Sequence, residues 1–459
     1  MALTGPMMVH AQSVGNEETE TELRSGPIEV DDADADDIAE EDIRVAIPSY
    51  IDLVNNKIRL NGADWTTLSQ SLAVCGSDPF TIVHIGDSHL QADFATSVTR
   101  RLLQADYGDA GRGLISPLKI SGTNQPTDYE FSSHDLWHSI KLMKQPWKMT
   151  MGFTGTSITP DRKSARLTIG LKQNDEEYSP FSTLVIFHHG RLKVNEITDM
   201  SGTPVKFVSF PSKDYTEINL GEPQTNIELQ LTGAADLTVF GVSLSGDRPG
   251  VFYHTIGNNG ATYSVYNNIG TVGKGIAPLQ PDLVIISLGT NEAFGKVNRA
   301  TVYDNIDALV DEVRLYNPEA RILLVTPMEC QRSEYRTTTR RQRVSGRKGK
   351  KGKRKSRTVN KRVKVRTGSY AVNPNVATVR DIINQYAADN HIAVYDWYEI
   401  AGGQGASTKW VSDGLFSKDR IHHSRKGYAL QGELMYEALK EALDPTGSAA
   451  PLPSLLPVE

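Results

Sequence analysis

The sequence predicts an α/β fold with a parallel sheet, interrupted by an inserted all-β sandwich. Short apolar runs alternate with helical segments on either side of the insertion, which is typical of parallel strands covered by helices. Between them, residues 121–250 alternate apolar and polar residues in short runs separated by turn residues, as strands with one buried face do. At 459 residues the chain is long enough for two or three domains.

The first 44 residues are predicted to be a disordered acidic leader. From Glu17 to Asp42 there are 13 acidic residues against the single Arg24, with few apolar side chains to form a core. Val9–Ser13 resembles the end of an export signal whose apolar part is missing, and a plain disordered N-terminus is an equal interpretation. No run approaches the roughly 20 apolar residues of a membrane-spanning helix.

Residues 45–120 are predicted to be the first part of the α/β domain. The run Thr81–Ile85 indicates a buried strand and Phe94–Leu103 a helix, with Gly-Asp-Ser-His at 86–89 in the turn between them. A serine in such a turn has its hydroxyl at the carboxyl edge of the sheet and its N–H at a helix start. Ser88 is therefore a candidate nucleophile, with an ordinary turn as the alternative.

The second part of the α/β domain is predicted at 251–444, where the alternation of strands and helices returns. The predicted strands lie at 281–288, 321–325 and 392–395, and the predicted helices at 301–316, 376–388 and 426–443. A proline-containing tail at 445–459 is predicted to be disordered.

A basic segment at 331–367 interrupts this second part, with 17 Lys or Arg and the single Glu334. We expect a disordered loop near the catalytic edge. Its charge indicates contact with an anionic polymer, pairing with the acidic leader, or a merely solvated loop. No aromatic residue lies between Tyr335 and Tyr370, so there is no stacking surface and nucleic acid is disfavoured as a partner.

Cysteine and histidine usage disfavours several other kinds of site. The chain has two cysteines. Cys75 precedes the predicted strand at 81–85 and Cys330 follows the predicted strand at 321–325, so in one parallel sheet they lie at opposite edges and are predicted not to pair. No cluster has the spacing of metal ligands, and no cofactor is expected. His84, His188 and His189 are interpreted as structural or surface residues.

Three further loops carry the groups that a serine nucleophile needs. Asp419 and His422 are three residues apart before the last helix, so one turn can place the carboxylate against the imidazole. Asn291 follows a predicted strand and can donate to an oxyanion, or cap a helix. Gly260 lies in a flexible loop whose N–H can approach a substrate, or is simply a turn residue.

Two neighbours compete with the carboxylate and the imidazole for these roles. His423 is the alternative base, and Asp413 is the alternative acid. The spacing favours His422 with Asp419.

Four sequence segments, or blocks, which contain Ser88, Gly260, Asn291 and the Asp419–His422 pair, resemble in their order and sequence context those of the SGNH hydrolases, also called the GDSL esterase/lipase family. The resemblance implies a flavodoxin-like three-layer domain, a catalytic triad of Ser88, His422 and Asp419, and an oxyanion hole made by Ser88, Gly260 and Asn291. The sequence departs from the family in having His89 where Leu is usual and a glutamate at 292 where Asp is common.

The β-rich insertion and the Gly-x-Gly-Leu-Ile-x-Pro segment at 111–117 resemble the bacterial peptidoglycan O-acetylesterases. That resemblance implies a serine esterase that removes O-acetyl groups from a glycan, in the periplasm, the cell envelope or outside the cell. Two alternatives stay open. One is an acetylesterase acting on another polysaccharide such as acetylated xylan, and the other is a non-catalytic glycan- or polyanion-binding protein.

Overall fold

The computed structural model describes residues 47–172, 180–233, 236–348, 354–445 and 447; the predicted acidic leader and most of the predicted tail lie outside them. The first elements are β1 (Ile58–Arg59), α1 (Thr66–Ala73), β2 (Phe80–Gly86), α2 (Ser88–Gln91), α3 (Phe94–Tyr107), β3 (Gly113–Ile115), β4 (Tyr129–Ser132), β5 (Trp137–Lys141), β6 (Thr156–Pro160), β7 (Ser164–Leu171), β8 (Phe181–His189), β9 (Leu192–Asp199), β10 (Phe207–Pro211), β11 (Tyr215–Gln224), β12 (Asn226–Gly233) and β13 (Thr238–Ser245). They continue as β14 (Val251–Gly257), α4 (Tyr263–Asn267), α5 (Val272–Ile276), β15 (Leu283–Ser287), α6 (Thr290–Phe294), α7 (Arg299–Tyr316), β16 (Arg321–Val325), β17 (Gln331–Lys348), β18 (Arg354–Val372), α8 (Asn375–Asp389), β19 (Ala393–Tyr395), α9 (Trp397–Ile400), α10 (Ala406–Ser412) and α11 (Arg425–Leu443).

A six-stranded sheet forms the centre of the α/β domain, in the order β1-β19-β16-β15-β2-β14. All neighbours are parallel except the two-residue edge strand β1, which is antiparallel to β19. Helices α4, α5, α7 and α8 pack on one face of the sheet, and α1, α3 and α11 on the other. Because helices bury both faces of the sheet, the sequences of its parallel strands are largely continuous apolar runs. The predicted three-layer α/β fold is confirmed.

Three neighbouring strands end level with one another, which brings their loops together. Gly86 at the end of β2 is in register with Gly257 of β14 and with Ser287 of β15. A Cβ atom at Gly257 would lie 2.3 Å from the backbone nitrogen of Gln91, so only glycine allows this close approach. The carboxyl edge, where open α/β sheets place their sites, thus gathers three loops.

The insertion consists of two antiparallel sheets. One has the order β10-β11-β8-β13-β6-β5, with β3 also paired to β13, and the other has the order β4-β7-β12-β9. Apolar side chains from both sheets form one buried cluster between them, including Phe131, Leu167, Leu184, Leu229 and Val242. The predicted β-sandwich is therefore confirmed. Its first strand, β3, precedes the predicted start of the insertion at 121.

A buried ionic network fastens the insertion to the α/β domain close to Ser88. Asp93, between α2 and α3, accepts hydrogen bonds from Arg100 at 2.6 Å and from Arg112 at 2.7 Å. Arg112 also donates to Asp128 at 2.5 Å, at the entry to the sandwich. Breaking one partner of such a buried network leaves an uncompensated charge, so the two parts are held rigidly.

The basic segment differs from the prediction. β17 and β18 pair as a long antiparallel hairpin, from Gln331 opposite Val372 to Lys348 opposite Arg354. The predicted disordered loop is therefore wrong for the described residues. β-Branched residues lie between the cations, as at Thr337–Thr339 and at Val363 and Val365, and such residues favour strands.

Two other predictions concern the cysteines and membrane spans. Cys75 and Cys330 are buried and unpaired, which confirms that they form no disulfide with each other. Among the described helices, none combines the length and the apolar character needed to cross a bilayer.

Candidate active site

Ser88 follows directly on the buried strand β2 and is the first residue of α2. Asp87 caps this helix, because its Oδ1 accepts a hydrogen bond from the His89 N–H at 2.9 Å. Gly86 has no space for a side chain, since a Cβ there would lie 2.8 Å from the Ser287 carbonyl oxygen. The turn therefore holds Ser88 at the carboxyl edge with its N–H at a helix start.

A hydrogen-bonded row joins Ser88 to the opposite end of the chain. Ser88 Oγ lies 2.7 Å from His422 Nε2, and His422 Nδ1 lies 2.6 Å from Asp419 Oδ2. Ser88 is 6% exposed and His422 is 3% exposed, so water competes little for these bonds. The row can move a proton from the serine hydroxyl to the imidazole while the carboxylate orients the ring.

A tight turn explains how Asp419 reaches His422. Asp419 Oδ1 accepts the backbone N–H groups of Ile421 at 2.9 Å and His422 at 3.0 Å. Arg420 between them has a φ of 60°, in the left-handed region. Burial alone would raise the pKa of Asp419, but its hydrogen bond and charge interaction with His422 lower the pKa below the usual value. The group is therefore a carboxylate at neutral pH.

The two competing residues lie elsewhere. His423 is buried among aromatic rings, with ring centroids 4.9 Å from Trp410 and 4.9 Å from Tyr428. Burial lowers the pKa of His423 to about 3, so it stays neutral. Asp413 accepts a hydrogen bond from the Tyr50 hydroxyl at 2.7 Å.

The candidate oxyanion donors come to the same edge. Gly260 follows β14 with a φ of 79°, which favours glycine. Asn291 Nδ2 donates to the Ala261 carbonyl oxygen at 2.9 Å and to Asp87 Oδ2 at 3.3 Å. Asn291 thus bridges the neighbour of Gly260 and the neighbour of Ser88. It is not the helix cap, because α6 is capped by Gly289.

Sequence comparison agrees with this geometry. The model of the GDSL-like Lipase/Acylhydrolase family matches residues 236–430, which include Gly260, Asn291, Asp419 and His422. The matched part is less than half of the chain, and Ser88 lies before it. This similarity supports a carboxylic ester hydrolase. No curated protein matches the chain by sequence.

Solved structures share the fold. A peptidoglycan O-acetylesterase is 20% identical with a TM-score of 0.62, over 85% of this chain and 99% of that one. A lipase/acylhydrolase from Enterococcus faecalis is 20% identical with a TM-score of 0.28, over 43% of this chain and 80% of that one. An acetyl xylan esterase is 14% identical with a TM-score of 0.29, over 41% and 81%. At these identities the first likeness shows the SGNH hydrolase fold alone.

Both departures from the family pattern, His89 and Glu292, lie at this candidate site. The His89 ring centroid is 5.1 Å from that of His422, and its Nδ1 is 3.1 Å from the Tyr428 hydroxyl. Burial, with a smaller contribution from the neighbouring imidazoles of His422 and His423, lowers the pKa of His89 well below its usual value. His89 is therefore neutral and packs beside the His422 imidazole.

Glu292 connects two of the blocks. Its Oε1 accepts the Tyr263 N–H at 2.7 Å, just after the Gly260 loop. Burial raises the pKa of Glu292 to about 7. Glu292 is adjacent to Asn291 in the sequence, so its hydrogen bond from the Tyr263 N–H links the loop after β15 to the loop after β14.

Sequence reasoning missed Gln91, which organises the oxyanion side. Its Oε1 accepts the Asn259 N–H at 2.7 Å, and its Nε2 donates to the Asn124 carbonyl oxygen at 2.9 Å and to Thr123 Oγ1 at 2.8 Å. Gln91 is only 4% exposed. Its partners are 33 and 168 residues away along the chain, so no local spacing could have revealed it.

The described residues contain no group of three or more His, Cys, Asp or Glu side chains arranged to hold a metal ion. The expectation of a site without metal or cofactor stays a prediction.

Proposed function

We propose that this chain is a serine esterase that removes O-acetyl groups from a carbohydrate polymer, with peptidoglycan as the substrate. The observation that carries the proposal is the hydrogen-bonded row from Ser88 through His422 to Asp419, with bonds of 2.7 Å and 2.6 Å. This arrangement supplies a nucleophile, a base and an orienting carboxylate for acyl transfer.

In the first half-reaction His422 Nε2 takes the Ser88 hydroxyl proton as Oγ attacks the acetyl carbonyl carbon. The carbonyl oxygen becomes an oxyanion, and the imidazolium then gives its proton to the departing sugar oxygen as the ester bond breaks. This leaves an acetyl group on Ser88. In the second half a water molecule attacks the acetyl-enzyme with His422 again as base, and acetate leaves as the Ser88 hydroxyl regains a proton.

The oxyanion is stabilised by the N–H groups of Ser88 and Gly260 and by the side-chain amide of Asn291. In the free protein both Asn291 protons are engaged, and the bond to Asp87 at 3.3 Å is the longer one. Donation to the oxyanion replaces that longer bond. Burial raises the pKa of Asp87 to about 6, so this carboxyl group is a weak competitor below that pH.

Two observations support a glycan as the acyl carrier. The fold resembles that of a solved peptidoglycan O-acetylesterase over 85% of this chain. A match of that extent takes in the β-sandwich as well as the hydrolase domain, because the insertion is too long to fall in the uncovered part. We propose the same substrate class for this chain, and with it a location outside the cytoplasm.

The experiment compares the parent protein with Ser88→Ala on O-acetylated peptidoglycan and on acetylated xylan, with released acetate as the measurement. We expect acetate from peptidoglycan with the parent and a loss of at least about 10⁴-fold with the variant. Acetate release from xylan and not from peptidoglycan would show that the substrate is another polysaccharide, while the proposed serine esterase mechanism would still hold. Equal release by the variant would refute the serine mechanism. No release by the parent from either polymer, or from a small acetyl ester, would favour a non-catalytic glycan-binding protein.

A further inference from the structure

The hairpin of β17 and β18 is a concentrated cationic surface. Six arginines with described side chains are exposed on it, namely Arg332, Arg336, Arg340, Arg341, Arg362 and Arg366. None of these six forms an ion pair with a carboxylate among the described residues. Exposed like charges at this density repel one another, so an anionic partner is energetically favoured.

The root of the hairpin is attached to the loop that carries Asp419. The Gln331 N–H donates to the Arg420 carbonyl oxygen at 3.0 Å, and the Tyr370 hydroxyl donates to the Lys418 carbonyl oxygen at 3.1 Å. The Arg420 guanidinium lies 4.2 Å from the centre of the Tyr370 ring. The cationic surface therefore starts beside the catalytic loop.

The first described residues of the chain meet the same region through α10. The Tyr50 hydroxyl bonds Asp413 at the end of α10, and Lys409 of α10 lies 5.4 Å from the Tyr50 ring centre. On the hairpin side, Gln331 Nε2 donates to Thr408 Oγ1 of α10 at 3.4 Å. Since α10 has seven residues, about 10 Å of helix separates the start of the described chain from the hairpin root.

We propose that the acidic segment Glu17–Asp42 docks on this hairpin within the same chain. The segment carries 13 acidic residues against one Arg, and 331–367 carries 17 basic residues against one Glu. Asp42 is five residues from Ile47, a reach of about 17 Å, and 26 extended residues span about 85 Å. That exceeds the roughly 60 Å length of an 18-residue strand.

The tether gives the acidic segment an effective concentration near the millimolar range. An external anionic polymer must therefore displace it before it reaches the hairpin. The contact depends on many exposed ion pairs, so salt weakens it.

The test uses the full chain and long-chain inorganic polyphosphate as the probe. The leader variant carries Asp31→Asn, Asp32→Asn, Asp34→Asn, Asp36→Asn and Asp37→Asn. The matched control makes the same net charge change at exposed carboxylates of the described chain, with Glu196→Gln, Glu222→Gln, Asp247→Asn, Asp304→Asn and Glu319→Gln. We expect polyphosphate affinity to rise about tenfold for the leader variant at low salt and less than about twofold for the control. Equal affinities for the two variants would overturn the proposal.

Carbodiimide cross-linking with peptide mapping tests the contact directly. We expect links between carboxylates of 17–42 and lysines of the hairpin, at a yield independent of protein concentration and reduced by salt. Links that grow with protein concentration would mean that the segment binds a second copy, and links only to other surfaces would mean that it docks elsewhere; either result overturns the proposal. Hydrolysis of a small acetyl ester is measured in parallel, because its retention separates this proposal from the esterase proposal.

Discussion

The two halves of the site are built differently. On the proton-transfer side, Ser88, His422 and Asp419 already lie within 2.7 Å of their partners, and two of the three residues come from one turn. On the anion-binding side, Gly260 and Asn291 come from loops after two different strands, and the Asn291 amide is bonded to protein acceptors. In the proposed mechanism the first half is ready in the free protein, whereas the second exchanges a hydrogen bond when substrate binds.

The difference has an energetic meaning. Replacing the 3.3 Å bond to Asp87 by a bond to an oxyanion exchanges one hydrogen bond for a stronger one, so it costs little. The donors act fully only when negative charge develops, which is the condition for stabilising the transition state over the ground state. The polar contacts of Gln91 with Asn259 and of Glu292 with Tyr263 hold these loops in place.

The largest expected effect comes from the proton-transfer side. His422→Ala should lower kcat for a small acetyl ester by about 10⁴-fold, because no other base among the described residues is hydrogen-bonded to Ser88 Oγ. The matched variant His423→Phe replaces a neutral ring among aromatic rings and should retain activity within about tenfold. Steady-state kinetics of both proteins measure this. If His423→Phe lost as much activity as His422→Ala, the assignment of the base would be wrong.

On the anion-binding side, Asn291→Ala should lower kcat by about 10²- to 10³-fold with little change in KM, as expected for a donor that acts on the oxyanion. Asn291→Asp, which keeps the shape but not the donor, should lose as much. An unchanged kcat in both variants would remove Asn291 from the oxyanion hole.

The raised pKa of Glu292 predicts that the free energy of unfolding depends on pH. Its pKa of about 7 in the folded protein is above the value of an exposed carboxyl group, so the neutral form is the one that folding favours. The stabilisation is complete below pH 4.5 and is lost as pH rises through 7, at a cost of up to about 3 kcal/mol.

Urea unfolding of the parent and of Glu292→Gln at pH 5 and pH 8 measures this loss. The glutamine variant should lose less free energy of unfolding between the two pH values, because it has no proton to release there. Asp87 titrates in the same direction in both proteins, but its charge also raises the pKa of Glu292, so the difference between the proteins includes the interaction of the two carboxyl groups. Identical losses would mean that Glu292 titrates normally.

The smallest effect is expected from Gln91→Ala, which should lower kcat about tenfold by loosening the loop that carries Gly260. Asn124→Ala removes the side-chain oxygen that accepts from Gln91 Nε2 at 2.5 Å but keeps the Asn124 backbone carbonyl and the Gln91 bond to Asn259, and should have a smaller effect. A fall in thermal stability with unchanged kcat would show that Gln91 acts on the fold and not on the oxyanion side.

Local patterns were sufficient for much of the fold. The apolar run of β2 and the amphipathic spacing of α7 and α11 are visible because helix and strand periods depend on neighbours in sequence. The hairpin at 331–372 was not predicted, since its high charge masked the β-branched residues between the cations. The Gln91 contacts were also not predictable, because they join three segments that only the folded chain brings together.

By itself, the sequence determined where most of the chemical groups stand, since Ser88 and Asn291 each follow a predicted strand and Asp419 precedes a predicted helix, while Gly260 was predicted only as a loop residue. Only the tertiary structure decided which of two adjacent histidines faces Ser88. Adjacent side chains point in different directions. His423 packs in the core against the rings of Trp410 and Tyr428, whereas His422 lies at the carboxyl edge of the sheet and is hydrogen-bonded to Ser88. The turn after Asp419 places that carboxylate against the imidazole, whereas Asp413 lies elsewhere, bonded to the Tyr50 hydroxyl.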